Sequence, residues 1–96
     1  MVTDNVTLVI YDITDDDLRN KVAHLLKKQG LKRIQKSAFA GKITSSQRSE
    51  VIAGLKRLVK DEKVNIQIYV LTETIFRNRE VIGVEINYDG ETVVIT

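Results

Sequence analysis

The stretch LKRIQKSAFAGKI, residues 31–43, has no clean apolar face. Read as one extended segment, it sets Leu31, Arg33, Gln35, Ser37 and Phe39 on one side and Lys32, Ile34, Lys36 and Ala38 on the other, because side chains alternate along a strand. Both sides mix charge with apolar groups, the pattern of an edge strand or of a functional surface rather than of a core strand. The folding of this stretch decides how many strands are available to pair, and so which architecture the chain can close.

Its flanks are easier to read. Upstream, VTLVIYDI (6–13) is nearly unbroken Val, Ile, Leu and Tyr, a central strand buried on both faces. Thr14 with Asp17 has the spacing of a capping box, and Asp15 to Asp17 suit the positive end of a helix. Leu18, Val22, Leu25 and Leu26 recur at helical spacing, and Gly30 is a natural stop, so a helix runs to about Gln29. Downstream, TSSQRSEVIAGLKRLVKDE carries serine caps and the stripe Val51, Ile52, Leu55, Leu58 and Val59, a second amphipathic helix from about Ser46 to Asp61 that Gly54 weakens slightly.

VNIQIYVLTE (64–73) and EVIGVEI (80–86) read as further strands joined by the polar TIFRNR, and Asn87-Tyr88-Asp89-Gly90 as a turn before a last extended piece, ETVVIT. The order is then strand, helix, strand, helix and three strands. This pattern fits an α+β fold in one domain spanning 1–96: a ferredoxin-like βαββαβ antiparallel sheet with two helices on one face. One C-terminal strand is left over, with the sheet of a dimer partner as its expected place.

Composition narrows the chemistry. With 43% hydrophobic and 29% charged residues, the chain reads as an ordinary globular domain without a membrane span or a signal peptide, which places it in the cytoplasm. The absence of cysteine excludes disulfides, zinc thiolates and thiol nucleophiles, leaving carboxylates, His24 and water to hold any metal, with a hard divalent ion the natural candidate. The net charge is only +2, but residues 18–49 contain Arg19, Lys21, Lys27, Lys28, Lys32, Arg33, Lys36, Lys42 and Arg48 and no acid at all. That segment is either the footprint of a polyanion or a solvated face balanced by acids elsewhere in the fold.

The candidate site follows from Asp12, at the carboxyl end of a central strand where the chain leaves the sheet, a usual place for ligand-binding groups. One carboxylate holds magnesium weakly, because the ion keeps an octahedral shell of one or two carboxylates with water and phosphate oxygens. The second donor comes either from Asp15, Asp16 or Asp17, or from another copy of Asp12 across a two-fold axis. His24 has no second histidine to pair with and reads as a surface residue. No glycine-rich phosphate loop, nucleophile elbow or histidine cluster is present. Metal-assisted phosphate chemistry remains, with Arg19, Arg33, Arg77 and Arg79 as the cations available to offset developing charge.

Tyr11-Asp12-Ile13, Arg19, the run Arg33-Ile34-Gln35-Lys36-Ser37-Ala38-Phe39-Ala40-Gly41, Thr72-Glu73, Phe76-Arg77-Asn78-Arg79 and Val81-Ile82-Gly83 together closely resemble the small CRISPR-associated Cas2 family. The resemblance implies a ferredoxin-like homodimer whose late strand crosses to the partner's sheet, with two copies of Asp12 facing each other around Mg2+ or another hard ion such as Mn2+. It implies a role in spacer acquisition in antiviral defence beside the CRISPR integrase. The implied activity is that of a metal-dependent endonuclease on single-stranded RNA or double-stranded DNA. By position, Asp12 binds the metal and is catalytic, Tyr11 shapes the cleft, Arg19 and Arg33 steady phosphate, and Ser37 and Phe39 line the substrate surface, with Arg77 and Arg79 as further cations. Two other functions compete: a non-catalytic dimeric DNA-binding scaffold for the integrase, and a ferredoxin-like module that binds a small ligand.

Overall fold

Residues 31–43 do not form one strand. In the computed structural model, which describes residues 5–86 and 92–95, the chain runs β1 (Asn5–Asp12), α1 (Asp16–Lys28), β2 (Lys32–Gln35), β3 (Ala38–Gly41), α2 (Ser45–Val59), β4 (Asn65–Thr72), α3 (Glu73–Arg77), β5 (Gly83–Ile86) and β6 (Thr92–Ile95). The expected single strand is a hairpin reversing at Lys36 and Ser37. A register shift between Arg33 and Gln35 puts Arg33 opposite Phe39 and Gln35 opposite Ala38. A bulge of this kind changes the phase of the two-residue alternation, which is why neither face of the stretch looked apolar.

The hairpin supplies the missing strand. The four-stranded sheet has the order β2-β3-β1-β4 and is antiparallel throughout, so the ferredoxin-like βαββαβ unit closes at β4 without borrowing a late strand. β5 and β6 pair with each other, Gly83 opposite Ile95, as a separate two-stranded sheet. The turn expected at 87–90 lies outside the described residues.

β1 pairs along its length with β4, from Asn5 opposite Thr72 to Asp12 opposite Asn65. On one face Val9 and Tyr11 pack with Phe39 of β3, Val22 and Leu26 of α1, and Val51 and Leu55 of α2, forming the core under both helices. The opposite face carries Leu8 and Ile10, which are only half-buried, so β1 is fully covered on one side alone.

The helix ends differ slightly from expectation. Asp15, not Thr14, caps α1, accepting the Leu18 N–H at 2.8 Å. Thr44, not a serine, caps α2 in a reciprocal box with Gln47, at 3.0 and 2.9 Å. Thr72 ends β4 and caps α3 through the Ile75 N–H at 3.1 Å, a helix hidden in the supposedly irregular link. Gly30 ends α1 as expected. At φ 96° it lets its own N–H and that of Leu31 return to the carbonyls of Lys27 and Leu26, each at 3.0 Å. Gly30→Ala forces a side chain into that conformation and is expected to lower unfolding free energy by about 1–2 kcal/mol, read as an earlier urea midpoint at unchanged slope.

Candidate active site at the carboxyl end of β1

The reversal at Lys36 and Ser37 lies beside the end of β1, because the Tyr11 N–H donates to the Ser37 carbonyl at 3.0 Å. This contact brings most of the expected residues to one end of the sheet. Tyr11 is nearly buried and its ring stacks on that of Phe39, centroids 6.3 Å apart. Phe39 is 0% exposed, so within this chain it is a packing group beneath the surface rather than part of its lining. Its ring carries the Arg33 guanidinium at 4.9 Å, and Arg33 Nη1 donates to the Lys36 carbonyl. The aromatic pair and the turn therefore hold Arg33 in place.

Arg19, one turn into α1, reaches back over the connection from β1. Its Nη1 donates to the carbonyls of Ile13 at 3.2 Å and Thr14 at 3.5 Å, and its Nη2 pairs with Asp16. About a quarter of the side chain remains exposed. Both arginines act on Tyr11 electrostatically: burial pushes its phenol above the ordinary value of 10, and the positive charges of Arg33 and Arg19 pull the other way. The Tyr11 hydroxyl is buried, with no hydrogen bond of good geometry among the described residues, while the neighbouring Arg33 side chain acts on it both as a charge and as a weak hydrogen-bond donor.

Asp12 is exposed, on the sheet face opposite Tyr11 and across from Asn65 of β4. The following aspartates do not join it. Asp15 is spent as a helix cap and Asp16 on Arg19, while Asp17 faces a groove toward Asp61 and Glu62. Among the described residues no group of three or more His, Asp or Glu is placed to hold a metal. Among the described residues Asp12 is thus not part of a ready-made metal cluster, and a hard divalent ion there would need a second copy, phosphate or water to complete its shell. His24 is exposed on α1, away from this end.

A cleft of about 820 Å3 opens on the sheet face away from the helices, between Leu8 and Ile10, the reversal with Lys36 and Ser37, and the segment from Arg79 to Ile82. Ser37 and Arg79 thus share a surface. Arg77 does not: it pairs with Glu73 at 3.3 Å in α3, which starts where β4 meets Asn5. The length of β1 separates that end from Asp12 by roughly 23 Å. Lys42, paired with Glu73, and Arg48, whose guanidinium donates to buried Thr7 at 3.5 Å, are likewise engaged away from Asp12. The basic segment is therefore dispersed over the fold. Asn65 and Lys36 are additions the sequence did not single out, since only strand register and the turn bring them near Asp12 and Arg33.

With this geometry in view, the model for the CRISPR-associated protein Cas2 family matches residues 5–79. The chain belongs to the Cas2 family. A Cas2 endoribonuclease of Korarchaeum cryptofilum is 43% identical over 76 residues, covering 79% of this chain and 82% of that one. A Cas1 endonuclease/Cas2 endonuclease fusion of Thermoproteus tenax is 40% identical over 62 residues, 65% of this chain and 24% of the fusion. A Cas2 crystal structure superposes with a TM-score of 0.70 at 27% identity, over 95% of this chain and 98% of that one. The ferredoxin-like frame is thus the Cas2 fold, and the matched span ends at Arg79, short of β5 and β6.

Tyr11→Phe removes a buried hydroxyl that makes no well-formed hydrogen bond and only a weak contact to Arg33, and is expected to leave stability within about 1 kcal/mol. A larger loss in urea denaturation would show that the Arg33 contact to the hydroxyl carries stability and would contradict this reading. Because burial makes the folded phenol hold its proton above the unfolded value, this group leaves stability unchanged with pH below 10, and ionisation destabilises the fold as pH rises from there through the folded value. Phenolate absorbance of the wild type minus Tyr11→Phe should therefore appear only beyond the ordinary tyrosine range.

Proposed function

We propose that this protein works in CRISPR adaptation as a homodimeric, divalent-metal-dependent endonuclease that hydrolyses phosphodiester bonds of RNA or DNA. The observation that carries the reading is the gathering of Arg19, Arg33 and Ser37 around the end of β1, where Asp12 is exposed. Membership of a family whose relative is named an endoribonuclease supports it.

In this reading the apolar sheet face, with Leu8, Ile10, Ile82 (93% exposed) and Val84 (51% exposed), packs against a second copy. Two Asp12 carboxylates then face each other and hold magnesium or manganese. When bound, such an ion would supply polarisation of the phosphoryl oxygen and a lowered pKa for a water. Arg19 and Arg33 bind the phosphate through the N–H groups their backbone contacts leave over, and offset the charge that builds on it. Ser37 and Arg79 border the strand's path, and Tyr11 and Phe39 keep Arg33 from swinging away. Partners are the CRISPR integrase, as the Cas1/Cas2 fusion relative suggests, and nucleic acid, in the cytoplasm. Among the described residues no helix is long and apolar enough to cross a membrane.

A second reading rests on the lack of a metal-holding cluster among the described residues: a non-catalytic DNA-binding scaffold for the integrase. One pair of variants separates the two. Asp12→Asn, at an exposed position, is expected to keep fold and dimer and to lower magnesium-stimulated cleavage of labelled RNA and duplex DNA by about a hundredfold or more. If cleavage survives in that variant, the nuclease reading fails. Spacer acquisition that survives Asp12→Asn but is lost in Arg19→Glu/Arg33→Glu supports the scaffold.

A further inference from the structure

The side of the molecule turned away from the sheet carries a groove that the proposed function does not use. It runs between α1 and α2, which pack closely because Gly54 has no side chain: a Cβ there would lie 3.1 Å from Leu25 Cδ2. The gap leaves Leu25 and Leu58 half-buried as an apolar floor in a space of about 560 Å3. Lys21, His24 and Lys28 of α1 and Arg57 of α2 stand around it, all exposed, and among the described residues no carboxylate lines this stretch. Among the described residues neither Lys21, Lys28 nor Arg57 is in an ion pair.

Toward the start of α1 the groove continues past Lys21, Arg57 and Leu58 into a space of about 470 Å3 where Asp15, Asp17, Asp61 and Glu62 appear. The groove is therefore apolar along its floor, basic along most of its rim and acidic at one end. A nucleic-acid backbone matches this poorly, because a phosphate track gains from cations without acids and gains little from a leucine floor. An amphipathic helix matches all three features.

We infer that the groove between α1 and α2 docks an amphipathic helix of a partner protein, with apolar residues at i, i+3, i+4 and i+7 on Leu25 and Leu58. Acidic residues on its flanks face Lys21, Lys28 and Arg57, and a basic residue at one end faces Asp15, Asp17, Asp61 and Glu62. The charge gradient fixes the direction in which the helix lies. This surface is on the opposite side of the sheet from the face assigned to the second copy, so both can be occupied at once, and the inference stands apart from the nuclease reading.

The test uses a stapled helical peptide of that design, leucines at i, i+3, i+4 and i+7 flanked by glutamates with two lysines at one end, and the same peptide with all charges reversed. Both are titrated into the 15N-labelled full chain. The expected result is saturable binding of the first peptide, amide shifts confined to residues 20–28 and 54–62, and at least a tenfold weaker affinity in Lys28→Glu/Arg57→Glu whose circular dichroism is unchanged. The reversed peptide should bind at least tenfold more weakly to the wild type. Equal binding of the two peptides, shifts mapping elsewhere, no binding, or displacement of the first peptide by duplex DNA at the same amides overturns the inference.

Discussion

The chain reversal at Lys36 and Ser37 is the constraint on which the rest depends. It makes two strands from one apolar-poor stretch, and it is anchored at both sides: the Tyr11 N–H is bonded to the Ser37 carbonyl, and Phe39 is wholly buried between β1 and the helices. The same packing that closes the sheet sets Arg33 on the Phe39 ring beside the exposed end of β1. Core stability and site geometry are consequently coupled, since loosening Phe39 releases the cation above it.

That coupling explains what the sequence disclosed and what it withheld. β1, α1, α2 and β4 were legible because each is long enough for a period of 2 or 3.6 to show, and Gly30 marked its helix end correctly. The hairpin was not, because Lys36-Ser37 lacks the Gly, Asn, Asp or Pro that announces a turn and the register shift scrambles the alternation. α3 escaped because five residues are too few for a periodic stripe. Reading 31–43 as one strand then left the sheet short and forced a late strand into it, whereas β5 and β6 pair with each other.

Asp12, Arg19, Arg33 and Ser37 were picked out by residue type, position and family resemblance, and the structure brings them to one end of the sheet. Burial was not readable: position assigned Phe39 to the substrate surface, and only the placement of β3 against β1 shows it fully buried. Nor was distance, as Arg77 and Arg79 show. Two residues apart in sequence, one is paired with Glu73 at the far end of β1, while the other borders the cleft with Ser37. The aspartates after Asp12 were conspicuous as ligands, but Asp15 caps α1, Asp16 pairs with Arg19 and Asp17 faces the groove toward Asp61 and Glu62.

Among the described residues Asp12 has no carboxylate cluster around it, and completion of the proposed metal site by a second Asp12 is the central claim. The most direct measurement is magnesium-dependent cleavage of labelled RNA by purified mixed dimers carrying one wild-type and one Asp12→Asn protomer. A shared site predicts that a single substitution removes nearly all cleavage, as in the doubly substituted dimer. Retention of half the wild-type rate, the outcome for two independent sites, contradicts it.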